Sequence, residues 1–131
     1  MTNLEKGDIV LAQFPFTDLS QTKLRPTIVL WSSDTGQDIT LCFISSQNTS
    51  NLYPDEFLID PNDPESESTG LKIVSKVRVT RIVTLDLKLI VRKLGKLTNN
   101  YKILLNDSHS RSLVMSVEIK IIDDLSFLSG A

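Results

Sequence analysis

Short apolar runs alternate with polar, turn-rich spacers along most of this chain. "GDIVLAQF" is the first such run and predicts a strand opening after Gly7. "PFTDLSQTKLRP" is rich in turn formers and polar residues and predicts a loop. "PTIVLWSS" is almost continuously apolar, which predicts a strand buried on both faces. "DTGQ" then reads as a hairpin turn, with Gly36 able to take positive φ, and "DITLCFISSQ" as a third strand. "NTSNLYPDE" predicts a loop and "EFLID" a short strand. "PNDPESESTG" contains no apolar residue and predicts an exposed, mobile loop.

The second half begins with "LKIVSKVRVTRIVTLD", which alternates as a strand does. Val77, Val79 and Arg81 fall on one face and Arg78, Thr80 and Ile82 on the other, with a break expected near Ser75 or Arg81. "LIVRKLGKLT" predicts a turn at Gly95. Thr98 is placed to N-cap a helix over "NNYKILLNDSHSRSLVM", with Tyr101, Leu104 and Leu105 as its apolar stripe. "VEIKIID" alternates like a further strand, and "DDLSFL" could begin another helical turn. Five or six strands and one helix make a mainly β protein, a small curled antiparallel barrel with a helical appendage.

Composition narrows the class. At 131 residues and 40% hydrophobic, the chain is expected to form one domain, 1–131, with a core that needs no staples. Cys42 is the single cysteine, so no internal disulfide can form; between Leu41 and Phe43 in a strand it reads as a small buried hydrophobe. The start "MTNLEKGDIVL" lacks the features of a signal peptide, and no apolar run reaches membrane-span length. The expected setting is the cytoplasm, with no membrane partner. Trp31 is expected at the core edge or an interface, and the lone His109 at the surface.

Charge changes the picture more than composition does. The net charge is −2, which alone argues against nucleic acid. Its distribution argues otherwise. From Pro26 to Gly70 there are eight acids and no lysine or arginine; from Leu71 to Lys102 there are nine basic residues and one acid, Asp86. An acidic protein can therefore present a basic face. No His, Cys, Asp or Glu group has metal-ligand spacing and no glycine-rich phosphate loop occurs, so no metal or cofactor is expected.

Three blocks in order carry a resemblance. "KGDIVLAQFPFTDLSQTKLRPTIVL" resembles the opening of the MazF/PemK/Kid toxins, the growth-arresting halves of bacterial toxin–antitoxin pairs. "FISSQ" is similar to the family segment that ends the third strand in Thr or Ser. "STGLKIVSKVRVTRIVTLDLKLIVRKLGKL" is similar to the family's Gly-Leu, Ser, Val-Arg and Thr-Leu/Ile-Asp string with its Gly-Lys-Leu close. The resemblance implies an SH3-like antiparallel barrel of the CcdB/PemK type with a C-terminal helix. It also implies a homodimer, a cognate antitoxin, and metal-independent cleavage of single-stranded RNA.

Carried over by position, the resemblance puts catalytic roles on Arg25, Ser45 and Arg78, and substrate contacts on Thr17, Lys23, Ser46, Gln47, Lys76 and Thr80. Some members use an aspartate where this chain has Thr80, and some a first-loop histidine that this loop lacks. The chemistry suits these residue types. RNA supplies its own nucleophile, the 2′-OH, so cations placed at the phosphate can stabilise the transition state. Arginine is always protonated near neutrality, so Arg25 and Arg78 suit electrostatic work better than proton abstraction. Asp8 and Asp18 are the carboxylates nearest in sequence for a general base. Two other readings keep the fold and drop the ribonuclease: a toxin that inhibits a topoisomerase, as the related CcdB toxins do, and a degenerate binding domain.

Overall fold

In a computed structural model of the protein, the described residues are 3–15 and 22–110. Thr17, Asp18, "VEIKIID" and "DDLSFL" lie outside them. Among the described residues, six strands form one antiparallel sheet: β1 (Asp8–Pro15), β2 (Thr22–Ser32), β3 (Asp38–Ser45), β4 (Glu56–Ile59), β5 (Ser75–Asp86) and β6 (Ile90–Lys96). Their order across the sheet is β4-β5-β3-β2-β1-β6. A helix, α1, covers 99–110. The mainly β architecture read from the periodicity is the one observed.

Period-2 alternation gives the sheet two apolar faces. On one, Ile9, Ile28, Cys42, Ile44, Phe57, Ile59, Val77 and Val79 pack with Tyr101 and Leu105 of α1. On the other, Val10, Ala12, Val29, Ile39, Leu41 and Ile90 form a second cluster with Leu4. "PTIVL" is thus buried on both sides, as its unbroken hydrophobicity requires. Burial pushes the Cys42 thiol up to about 12, so it behaves as a core hydrophobe. Trp31, by contrast, is 55% exposed among the described residues and is no part of the core.

Several local expectations need correction. The strands reach into "PFTDLSQTKLRP" from both sides: β1 runs to Pro15 and β2 starts at Thr22, pairing Gln13 with Leu24 and Phe14 with Lys23. Turn-forming side chains do not prevent pairing when a hairpin partner lies alongside. Pairing of β2 with β3 begins only at Thr27↔Phe43, so the hairpin extends beyond the third strand. Pro26 sits where β2 has outrun that neighbour, a position compatible with its missing N–H. The residue before a proline is held extended, which suits Arg25 in the ladder opposite Ala12.

The acidic segment is not an unstructured loop. Pro64–Thr69 forms a 3-10 helix whose N-cap, Asp63, accepts from the Glu65 N–H, and it ends on Gly70 at φ 74°. Ser66 and Thr69 are buried. The Tyr101 hydroxyl donates to Asp63 at 3.0 Å, the Asn100 amide to Glu65 at 2.7 Å, and the Ser68 hydroxyl to the Lys96 carbonyl at 2.9 Å. Burial and Asp63 push the Tyr101 phenol up to about 12, so it remains a donor. These contacts run to β6 and α1.

Gly95, expected in a turn, lies within β6. Its hydrogen faces the 3-10 helix so closely that a Cβ there would stand 2.2 Å from the Ser68 carbonyl oxygen. In α1 the buried stripe is Tyr101, Leu105 and Ser108, with Leu104 40% exposed. Thr98 caps the helix, its hydroxyl accepting from the Tyr101 N–H at 3.4 Å. His109 is half-buried, and its Nε2 lies 3.0 Å from the Val79 carbonyl.

Two outcomes are expected. Gly95→Ala should destabilise the fold by about 1–3 kcal/mol in urea unfolding, because the added methyl meets backbone that cannot yield cheaply. Burial lowers the His109 pKa below its ordinary value. The unfolded chain then binds the proton more readily, so stability falls as pH drops from about 6.5 through the lowered folded value. His109→Gln should therefore lose less melting temperature between pH 7.5 and 5.5 than the parent chain does.

Candidate functional site

The second face of the sheet changes character along its strands. Residues opposite one another in antiparallel strands share a face, so the register defines rows. Val29, Leu41 and Val83 form an apolar row. Two residues further along comes Thr27, Phe43, Arg78 and Glu56. The next row carries Ser45, Lys76 and Leu58, with Arg25 two residues before Thr27 on β2. The apolar face therefore gives way to a polar one at the end where the β1–β2 hairpin projects. Phe43 marks the boundary, its ring centroid 5.1 Å from that of Phe14 on the hairpin.

A cavity of ≈ 470 Å³ opens on this polar end, lined by Arg25, Phe43, Ser45, Arg78, Arg81 and Ile82 among others. Three strands thus bring Arg25, Ser45 and Arg78 into one concavity. Arg81 enters through an irregularity of β5. The ladder pairs Phe43 with Arg78 and Cys42 with Ile82, so Val79 to Arg81 have no opposite partners on β3. This is the break expected near Arg81; Ser75 is where the strand starts. Val79 still points into the core, whereas Thr80 and Arg81 are both exposed.

Arg78 is held by a carboxylate that the sequence reading missed. Its Nε donates to Glu56 Oε2 at 3.2 Å, and Lys76 Nζ lies 3.4 Å from Glu56 Oε1. Glu56 Oε1 also accepts from the Tyr53 N–H at 2.9 Å. The Glu56 side chain is 3% exposed, Lys76 7% and Arg78 35%. A buried carboxylate engaged this way must keep its cations close, because leaving any of them unpaired in the interior is costly. It uses one nitrogen of the Arg78 fork, which leaves two further guanidinium nitrogens to bind an anion. The signal for Glu56 was a charged residue heading the short apolar strand "EFLI".

The remaining positions disperse. Ser45 Oγ accepts from the Gln47 N–H at 3.1 Å, a local turn that leaves its O–H to donate. Ser46 and Gln47 are exposed just after β3, and Lys23 is exposed on the hairpin. Thr80 donates to Asp55 and does not line the cavity. Asp8 is no base for this site. Its carboxylate is 3.2 Å from Lys93 and accepts from the Glu5 N–H, and β1 places it about 13 Å along the strand from Ala12, the partner of Arg25. Among the described residues no three His, Cys, Asp or Glu side chains cluster as a metal site would require. Among them, too, no helix is long and apolar enough to cross a membrane.

The described residues thus form a mainly β fold in which an antiparallel sheet ends in a cationic concavity and a helix packs on its opposite face. A family model of PemK-like, MazF-like toxins of type II toxin–antitoxin systems matches residues 5–108, and the chain belongs to that family. Solved structures share the fold. An endoribonuclease in complex with its cognate antitoxin, from a mycobacterial species, is 14% identical over 85% of this chain and 95% of its own, with a TM-score of 0.65. A mycobacterial endoribonuclease is 16% identical over 86% and 93%, with a TM-score of 0.62. The Mycobacterium tuberculosis toxin MazF-mt6 is 18% identical over 81% and 95%, with a TM-score of 0.63. No curated protein matches the sequence.

Glu56→Ala should destabilise the protein by about 3–5 kcal/mol, since it strands the buried Lys76 and frees Arg78. Arg78→Ala, which removes a part-exposed partner and leaves Glu56 with Lys76, should cost about 1 kcal/mol or less. Chemical denaturation of the two variants checks the ratio.

Proposed function

We propose that this protein is an endoribonuclease toxin that cuts single-stranded RNA without a metal, through attack of the 2′-OH on the adjacent phosphorus. The observation that carries this reading is the convergence of Arg25, Ser45 and Arg78, from three strands, on one concavity. In the proposed step the 2′-oxygen bonds to phosphorus and the bond from phosphorus to the 5′-oxygen breaks. The products are a 2′,3′-cyclic phosphate and a 5′-hydroxyl. Negative charge grows on the non-bridging oxygens as five-coordinate phosphorus forms. Fixed guanidinium groups placed there stabilise that charge without reorganising. Arg78 is held for this by Glu56, and Ser45 offers a hydroxyl to a phosphate oxygen or the 2′-OH.

The same reading gives the protein a cognate antitoxin, a twofold partner and a cytoplasmic place of action. Family membership supports the antitoxin, and exposed Leu24 beside the site, with exposed Trp31 towards the far end of β2, supplies apolar area for protein contact. Sedimentation of the purified chain should show a dimer at micromolar concentration. Incubation with a long RNA in excess chelator should yield discrete cuts ending in cyclic phosphate. Arg78→Ala should slow cleavage about a hundredfold, the scale of losing one oxyanion donor, and Arg78→Lys should recover part of it. Full activity in Arg78→Ala would remove the assignment.

A further inference from the structure

A second pocket opens beside the cationic cavity and has no role in the reading above. Asn48, Asn51, Leu52, Tyr53 and Lys76 line it, and its volume is ≈ 480 Å³. Ser45 lines the cavity and Lys76 the pocket, and the two residues are register partners on β3 and β5. The two concavities are therefore immediate neighbours on one face of the sheet.

The content of this pocket is unusual for a polar loop. Tyr53 is 67% exposed and Leu52 44%, and the Asn48 and Asn51 side chains are exposed beside them. The backbone beneath is nevertheless tied down. Glu56 accepts from the Tyr53 N–H and returns its own N–H to the Tyr53 carbonyl at 2.9 Å. Lys76 Nζ reaches the Asn51 carbonyl at 3.4 Å, and the Asn51 N–H bonds the Asn48 carbonyl at 3.2 Å. Asn48 takes a left-handed turn at φ 52°. The result is a fixed backbone that holds an aromatic ring and two amides outward.

We propose that this pocket seats one nucleobase of the RNA whose phosphate lies between Arg25 and Arg78, and so sets the base preference next to the cut. The proposal rests on the ribonuclease reading. An exposed ring offers a stacking platform to any base, and flanking amides with both donors and acceptors can discriminate its edge. Glu56 joins the two concavities. Its Oε1 holds Lys76 and the Tyr53 backbone on the pocket side, while its Oε2 holds Arg78 on the cavity side. Lys76 and Arg78 are two residues apart on one strand face, about 6.6 Å, which is the scale of one nucleotide step in an extended strand. Base and phosphate would then be gripped in a single geometry.

The test uses the full chain and two pools of short single-stranded RNA with randomised sequence. One pool is ordinary RNA, read by sequencing its cut ends. The other carries 2′-fluoro riboses, which lack the nucleophile, and is read by enrichment on binding. The parent chain should show a base bias at one position beside the cut bond in both pools. Tyr53→Ala and Asn51→Ala should flatten that bias, and Tyr53→Ala should weaken binding of the preferred sequences roughly ten- to a hundredfold. Arg78→Ala should slow cleavage of every sequence and keep the bias in the bound pool. Unchanged bias in both pocket variants overturns the pocket and leaves the ribonuclease reading intact. Unchanged bias with loss of antitoxin binding assigns the pocket to a protein segment and also overturns the proposal. A bias in the bound pool that Tyr53→Ala removes, without any cleavage by the parent chain, supports the pocket and sinks the ribonuclease reading. Failure of the parent chain to bind either pool removes both.

Discussion

The site depends on a mismatch in strand length between β3 and β5. Opposite the single bond from Cys42 to Phe43, β5 inserts Val79, Thr80 and Arg81. An extra stretch of this kind bends the strand and sharpens its local twist. Val79 keeps its side chain in the core, which anchors the irregularity. Arg78 before it and Arg81 and Ile82 after it can then line the same cavity, which strict alternation would forbid for Arg78 and Arg81. The irregularity is also braced from behind, since the Val79 carbonyl meets the ring of His109 on α1. The cavity in front and the docked helix behind are thus two sides of one backbone feature.

Electrostatics explains how an acidic chain can hold a cationic site. Arg25, Arg78 and Arg81 line the cavity, and one buried anion, Glu56, pairs with Arg78 and with Lys76 beside it. That carboxylate orders Arg78 and Lys76 without cancelling the total charge they present together with the other arginines. The acids Asp63, Glu65 and Glu67 are committed elsewhere, in a 3-10 helix that faces β6 and α1. Net charge describes solubility and long-range behaviour, whereas the local field at a concavity follows from which acids lie near it. At physiological salt the two groups are screened from one another beyond about 8 Å.

Strand positions were legible in the sequence because period-2 burial is written residue by residue. Ile28 and Val29 announced a doubly buried strand, and Arg25, Ser45 and Arg78 could be placed through their motif neighbours. What could not be read were relations between residues distant in sequence. The turn expected at Gly95 is a close approach by Ser68, and nothing local distinguishes those two uses of glycine. The acidic segment is polar throughout, yet its hydroxyls and carboxylates find partners on β6 and α1 and so give it structure. Leu104 was placed on the helix stripe from spacing, but the buried face runs through Tyr101, Leu105 and Ser108 instead.

The carboxylate beside Arg78 shows the same limit in its sharpest form. A motif records neighbours along a strand, and by that measure this chain has lost an acid, since Thr80 stands where some relatives by resemblance have aspartate. In a sheet, however, the nearest neighbours of a side chain include the residue directly across the ladder. That residue sits about 5 Å away, closer than the one two positions along the same strand at about 6.6 Å. Glu56 occupies the position across from Arg78, and Asp55 beside it receives the Thr80 hydroxyl. The arginine therefore has its carboxylate from β4, without any acid at position 80. Substitutions that exchange an acid between facing strands leave the local field at the arginine nearly unchanged while erasing the linear motif. For this fold the cross-strand register, more than the spacing along β5, decides which charges an RNA phosphate would meet.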